Sequence, residues 1–280
     1  DRPKNAEEGD PDMDFEQVRY EKSEGIATIT LNRPERMNAF TPRMLDEWLA
    51  ALQDAHLDPE TRVIILTAEG RGFCTGMDVQ AQAKGQGLLP QSRSLGEARN
   101  YLRDSVQRIP RLVAQLDKPY IAAVNGAAVG AGMDMASMCD IRFAADTARF
   151  GMTYVRMGLV PGDGGCYYLP RIVGLARALD LIWSGRLFDA EEALRIGYVS
   201  AVVPAADLMA YTREYALKLA RGPAVAIQLA KRLVYRSLEA SVDQALEMAQ
   251  GAMTIAQNTE DAREGPRAFV EKREPQFKGQ

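Results

Sequence analysis

Three short, largely apolar runs constrain this chain more than any other feature. Val63–Thr67 reads VIILT, Tyr120–Val124 reads YIAAV and Ile141–Ala145 reads IRFAA, with helical spacing in the segments between them. Runs of this length that are apolar on successive residues suit strands covered on both faces, as in a parallel sheet. A helix between two such strands is a βα unit, and its recurrence predicts an α/β architecture. No fixed-length sequence repeat accompanies it.

The segments before these runs carry clear local signals. Gln17–Lys22 and Ile26–Leu31 alternate like strands and are parted by Ser23-Glu24-Gly25, which predicts a hairpin. Asn32-Arg33-Pro34 stops the second strand, because a proline disfavours helix and sheet continuation at its neighbour. Thr41-Pro42 then predicts a helix start, with Thr as cap and Pro in the first turn. Met44, Leu45, Trp48, Leu49 and Leu52 follow at helical spacing. Val79 to Ser94 lacks periodicity and reads as a loop over a site. Tyr101 to Leu116 resumes helical spacing as one helix. Beyond Arg171 the character is mostly helical, with a strand expected at Tyr198–Val203 and long helices from Ala206. Ala224 to Gln257 is rich in Ala, Leu and Met, so part of its surface is expected to pack on another subunit.

Between YIAAV and IRFAA lies a cluster of small residues: Gly126, Ala127, Ala128, Gly130, Ala131 and Gly132. A strand, then tiny residues, then a helix aims backbone N–H groups at whatever sits above the turn. The first N–H groups of a helix have no partner within it. Asp134 falls in the first turn of that helix, where a carboxylate is favoured. The same residues would equally serve close packing of helix on strand, and this stretch alone does not choose between the two.

Composition excludes several chemistries. A net charge of −4 and a pI near 5.3 advertise no surface for nucleic acid. No run has the length and apolarity of a membrane span. Residues 1–14 are polar and acidic and read as a disordered tail rather than a signal peptide. Cys74, Cys139 and Cys166 are an odd number embedded in apolar segments, which predicts packing roles and a reducing cytoplasm. The single histidine, His56, lies in QDAHLDPE beside no Ser or Cys, so a multi-histidine zinc site is impossible and a serine triad is disfavoured. No metal is expected. Acid–base work falls to carboxylates, Tyr, Lys or Cys.

Five segments in order carry a resemblance: NRPERMNA at Asn32–Ala39, RGFCTGMDV at Arg71–Val79, KPYIAAVNGAAVGAGMDMASMCD at Lys118–Asp140, GLVPGDGGCYYLPRIVG at Gly158–Gly174, and EGPRAFVEKREPQF near the C-terminus. Together they resemble the crotonase family of acyl-CoA enzymes, which includes enoyl-CoA hydratases and isomerases, from Val18 to Phe277. The resemblance implies an α/β spiral of repeated ββα units over residues 15–205. A helical region at 206–280 would pack in a homotrimer or a dimer of trimers. It implies no metal and no redox cofactor, the CoA thioester being the substrate. The thioester carbonyl would lie between the N–H groups of Met77 and Ala131, which suits the charge that gathers on that oxygen when an enolate forms. The Met77 side chain would narrow the pocket. CoA would run along Arg33, Arg36 and Met37, past Thr75 and Asp78, with Phe269 and Lys272 reaching its nucleotide end, often from a neighbouring subunit. An exposed cation is usually solvated surface, so each single Arg or Lys carries that plainer reading too.

One position departs from the family. Two glutamates normally hold the water, and they fall here on Asp134 and Tyr154. A tyrosine hydroxyl is a poor base at neutral pH, so the paired-carboxylate arrangement fails where it is expected. Asp163, in PGDGG, is a substitute one residue later than some family members place a working aspartate. Tyr154 could instead be a packed ring and Asp163 a helix cap. If Asp134 and Asp163 both face the acyl group, the arrangement suits isomerisation at least as well as hydration. The alternatives are another activity of the family (dienoyl-CoA isomerase, decarboxylase or thioester hydrolase) or a non-catalytic CoA-binding member. Dinucleotide binding is disfavoured, since GAGMDM lacks the third glycine of that fingerprint.

Overall fold

The structure is a computed structural model, and it describes residues 15–78, 80, 82, 84 and 94–279. The tail predicted at 1–14 and most of the loop predicted at Val79–Ser94 lie outside the described residues. The hairpin forms as β1 (Val18–Ser23) and β2 (Ile26–Leu31), pairing antiparallel. Helix α1 (Pro42–Leu57) starts at Thr41, whose side chain accepts the Met44 N–H, with Pro42 in the first turn. It buries Met44, Leu45, Trp48, Ala51 and Leu52, and Trp48 donates its indole N–H to the Tyr120 hydroxyl. His56 sits in its last turn rather than in a linker.

Strand β3 (Val63–Ala68) is buried at every residue, and β4 (Gly72–Cys74) follows a tight turn. The single helix predicted over Tyr101–Leu116 is instead two, α2 (Leu95–Asp104) and α3 (Arg108–Val113). Pro110 explains the break. It has no N–H for the Val106 carbonyl, and its ring collides with that carbonyl in a continuous helix. Strand β5 (Tyr120–Val124) leads to β6 (Ala127–Val129) and α4 (Ala131–Ser137). Next come β7 (Ile141–Ala145), β8 (Arg149–Gly151) and a 3₁₀ turn over Thr153–Met157. Then α5 (Gly165–Val173), α6 (Leu175–Ser184), β9 (Phe188–Asp189) and α7 (Ala190–Arg195) follow. The strand predicted at Tyr198–Val203 shrinks to β10 (Ala201–Val203). Tyr198 and Val199 instead give their N–H groups to the Ala193 carbonyl of α7, which keeps them out of the ladder, and the buried Tyr198 hydroxyl meets Ser137 and the Met133 carbonyl.

The strands form two sheets. The larger runs β1-β2-β3-β5-β7-β10 and is parallel beyond the hairpin; the smaller runs β4-β6-β8-β9, parallel except at β9. In the larger sheet, alternate residues face two cores. Ile29, Ile64, Leu66, Ala122 and Val124 meet α1 and α4, while Ile26, Val63, Ile65, Ile121 and Phe143 meet α8 (Leu208–Ala220). The smaller sheet is anchored by Phe150, stacked on Phe188 at 5.5 Å between ring centres and edge-on to Tyr198.

Three more helices close the chain: α9 (Ala224–Ser237), α10 (Val242–Gln257) and α11 (Asp261–Glu271). Neither α9 nor α10 has a buried residue, although both carry apolar side chains. The final segment folds back, with Asp261 accepting the Lys278 and Gly279 N–H groups. Among the described residues, no helix is long and apolar enough to cross a membrane.

Candidate active site

The parallel strands of the smaller sheet all end at one place. After β4 come Thr75, Gly76 and Met77; after β6 come Gly130 and Ala131; after β8 come Thr153 and Tyr154. Their carboxyl ends open onto a cavity of about 240 Å³ that all of these residues but Gly76 line. Leu102 and Val106 from the α2–α3 segment and Met157, Leu159 and Val160 add to its mostly apolar wall, and Asp163 is its one carboxylate among the described residues. Ligands bind at the carboxyl ends of parallel strands for a simple reason: backbone groups leave the ladder there and point outward.

The glycines of this region divide into two kinds. Gly132 serves packing, since a Cβ there would stand 2.0 Å from the Cys74 carbonyl oxygen. Gly76 serves the turn: its φ is +76°, and a Cβ would stand 2.9 Å from the Ala131 nitrogen. Within the small-residue cluster, the close-packing reading therefore holds at Gly132. The Phe40 N–H donates to the Gly76 carbonyl and pins the turn against residues 32–40. Among the described residues, nothing accepts a hydrogen bond from the Met77 or the Ala131 N–H. Two residues whose N–H groups lack a partner among the described residues thus line one cavity from adjacent turns.

Asp134, Tyr154 and Asp163 come together beside it. The Tyr154 phenol oxygen lies 2.7 Å from Asp134 Oδ2 and 3.0 Å from Asp163 Oδ2. Tyr154 and Asp163 line the cavity, whereas Asp134 is fully buried behind them and does not. Of the two carboxylates, Asp163 therefore faces the cavity and Asp134 does not. Asp134 packs so tightly on α5 that a Cβ on Gly165 would stand 2.1 Å from its Oδ1. Asp163 is not a helix cap either. Gly164 holds that position, and no side chain caps α5.

Burial governs the electrostatics here. It pushes Asp134 up to about 8, aided by the neighbouring Asp163 carboxylate and opposed by the Tyr154 hydroxyl and the Gly165 and Asp163 amides. Burial likewise raises Asp163 to about 6, with Tyr154 opposing. Tyr154 moves well above its ordinary value, through burial and then the two carboxylates.

The residues expected along CoA lie at the base of the same turns. Arg33 donates to the Ala39 carbonyl at 2.8 Å and pairs with Asp78 at 3.4 Å, so its charge is partly answered within the chain. Arg36 donates to the Gln80 side chain. The Met37 carbonyl accepts from the Thr75 N–H, and the Met37 side chain covers Gly72. Phe269 and Lys272, on and just beyond α11, are exposed and do not line the cavity.

Three contributors were not read from the sequence. Asn38, at φ +54°, accepts the Arg33 N–H and donates to the Glu69 and Gly72 carbonyls, tying the two loops together. Asn tolerates that conformation better than most residues, which was the available signal. Gln107 donates to the Gly162 carbonyl and holds the loop that presents Asp163. Gly165 makes room for Asp134. The last two depend on contacts distant in sequence and had no local signal. Cys74 and Cys139 are buried as expected, but Cys166 is exposed because the first turn of α5 leaves it on the outer face. The described residues hold no cluster of three metal-ligating side chains.

Residues 21–280 match the family model described as Enoyl-CoA hydratase/isomerase. A Mycobacterium bovis protein named "Probable enoyl-CoA hydratase echA8" is 38% identical, covering 95% of this chain and 99% of its own. A crotonyl-CoA hydratase of Syntrophomonas wolfei is 34% identical over 95% of this chain and 99% of its own length. The crystal structure of an enoyl-CoA hydratase from Bacillus anthracis is similar with a TM-score of 0.87 and 32% identity. That match covers 95% of this chain and all of the other.

Proposed function

Because the chain belongs to the enoyl-CoA hydratase/isomerase family, we propose that it is an enoyl-CoA hydratase/isomerase working through a stabilised thioester enolate. The observation that carries this reading is the pair of unpaired N–H groups, Met77 and Ala131, on the same cavity as Asp163 and Tyr154. Donors fixed in a dry pocket stabilise the oxyanion by a few kcal/mol each (about 2.7–4 for one lost donor). In a double-bond shift Asp163 takes a proton from substrate carbon, the C–H electron pair becomes the dienolate, and the proton returns to the other carbon. In hydration Asp163 takes the proton from water, the water oxygen bonds to the β carbon, the π pair of the double bond becomes the enolate, and the proton is delivered to the α carbon.

Between the two activities, we favour the double-bond shift. Among the described residues one carboxylate faces the cavity, and the walls are largely apolar, which suits one base moving a proton between two carbons. Hydration is the second reading, supported by the hydratase names of the relatives.

CoA is placed along Arg33, Arg36 and Met37, past Thr75 and Asp78, with Phe269 and Lys272 at its nucleotide end. No further cofactor takes part. A homotrimer or homohexamer is supported by exposed Leu238, Val242, Leu246 and Met253 on and between α9 and α10. The three free cysteines suit a reducing compartment such as the cytoplasm.

Incubating a panel of enoyl-CoAs in heavy water and following products by mass tests the reading. Deuterium at the α or γ carbon without net water addition supports the shift; a mass gain of one water supports hydration. Absence of both, with no CoA thioester bound, overturns the reading.

A further inference from the structure

The Tyr154 phenol has one proton, yet its oxygen stands within hydrogen-bond distance of two carboxyl oxygens. If both aspartates were ionised, one contact would bring an oxygen lone pair against a carboxylate. Both groups are buried, and both Oδ1 atoms lack hydrogen-bond partners. Among the described residues no cation pairs with either carboxylate. The titratable groups facing Asp134 are Tyr154 from the 3₁₀ turn, Asp163 from the loop before α5, Cys166 from α5 and Tyr198 from the segment before β10. Arg142 lies over the Tyr198 ring but donates to the Cys139 and Tyr198 carbonyls. Two adjacent buried carboxylates without a cation do not both ionise.

We infer that Asp134 is a neutral carboxylic acid in the working enzyme, donating to Tyr154, which in turn donates to an ionised Asp163. The chain of donors runs Asp134 Oδ2–H to Tyr154 Oη, then Tyr154 O–H to Asp163 Oδ2. Every hydrogen bond then has a proton. The proton rests on Asp134 because that group is sealed from the cavity, whereas Asp163 meets it and is stabilised by whatever polar group enters. The amides at the start of α5 favour an anion at Asp134, but burial and the second carboxylate outweigh them. Asp134 is thus a positioning residue. It turns the phenol proton toward Asp163, and Asp163 alone abstracts the substrate proton.

This inference rests on the acyl-CoA reading only for its kinetic arm. Asp134→Asn keeps a donor of similar shape at Tyr154. The expected result is loss of the alkaline fall in the pH profile of α-proton exchange, with KM unchanged. A drop of 100-fold or more at unchanged KM makes Asp134 the base and overturns the inference. The second arm needs no substrate. Infrared spectra of the free wild-type protein at neutral pH should contain a protonated-carboxyl C=O band, sensitive to heavy water, that Asp134→Asn removes. If that band is absent from wild type, no proton is shared and the inference fails, whether or not enoyl-CoAs are substrates.

Discussion

The larger sheet is built of strands five or six residues long at its centre, apolar on both faces, and its side chains fill the two cores. The smaller sheet has strands of two or three residues, rich in Gly and Ala, and its parallel carboxyl ends deliver Met77, Ala131 and Tyr154 to the cavity. Side-chain burial holds the first together. Close backbone approach holds the second, most tightly where Gly132 meets the Cys74 carbonyl. The difference teaches that stability and chemistry are carried by different sheets here, so perturbing one should leave the other measurable.

The sharpest way to break this division is Gly132→Val. Its side chain cannot fit beside Cys74 without moving backbone, so α4 and β4 part and the Ala131 N–H leaves its place. Losing one such donor reduces turnover by about 10²–10³, and disturbing the trio adds to it, so a loss of 10³ or more is expected. The larger sheet should persist, seen as an unchanged far-ultraviolet circular dichroism spectrum and a cooperative melt. Activity within tenfold of wild type would show that the small sheet does not place the site. Next in size is Asp163→Asn, which removes the base and should lower kcat by about 10²–10⁴ with KM little changed. A steady-state comparison on the best enoyl-CoA settles it. The mirror experiment is Ile65→Ala in the larger sheet, where a fully buried side chain is truncated. It should cost about 2–5 kcal/mol of unfolding free energy by denaturant titration, leaving turnover per folded molecule unchanged.

The same contrast governs what could be read from the sequence. Val63–Ala68 and Tyr120–Val124 announce themselves because burial on both faces demands nearly continuous apolar runs, and Ile26–Leu31 does so by its alternation. Thr41 and Pro42 mark their helix start chemically. Strands as short as Gly72–Cys74 and Ala127–Val129 leave no periodicity to detect, and the sequence shows only a small-residue turn after the second. The family resemblance, not the pattern, pointed to Met77, Ala131, Asp134 and Tyr154. What neither supplied was depth. Whether a carboxylate stands on the cavity wall, as Asp163 does, or behind it, as Asp134 does, depends on a ring from the 3₁₀ turn and a glycine on α5.

Proton linkage offers a subtler probe. The two aspartates titrate higher in the folded chain than in the unfolded one, where they return toward about 3.9. Between those values the folded state holds more protons, so stability falls as pH rises from about 4 to about 8. The contribution is fully present below the unfolded value and lost through the folded ones. Asp134→Asn has no proton to lose at that position, so its stability relative to wild type should improve by a few kcal/mol between pH 5 and pH 8, as an order of magnitude. Turnover should rise as Asp163 ionises near 6 and fall as Asp134 ionises near 8, the two values belonging to the coupled pair. Parallel pH dependences of stability for wild type and variant would contradict this linkage.

The smallest effect concerns Arg33, at the base of the small-sheet turns. With its guanidinium shared between the Ala39 carbonyl and Asp78, it has limited charge to offer a phosphate. Arg33→Ala should raise KM for a CoA thioester by about five- to tenfold, near 1 kcal/mol, at constant kcat. That result alone does not separate phosphate binding from support of the loop. Asp78→Asn does separate them. Releasing Arg33 from its ion pair should lower KM if the cation meets the nucleotide. If Arg33 only braces residues 32–40 against the turn after β4, the same change loosens that brace and KM rises with the Arg33 variant's.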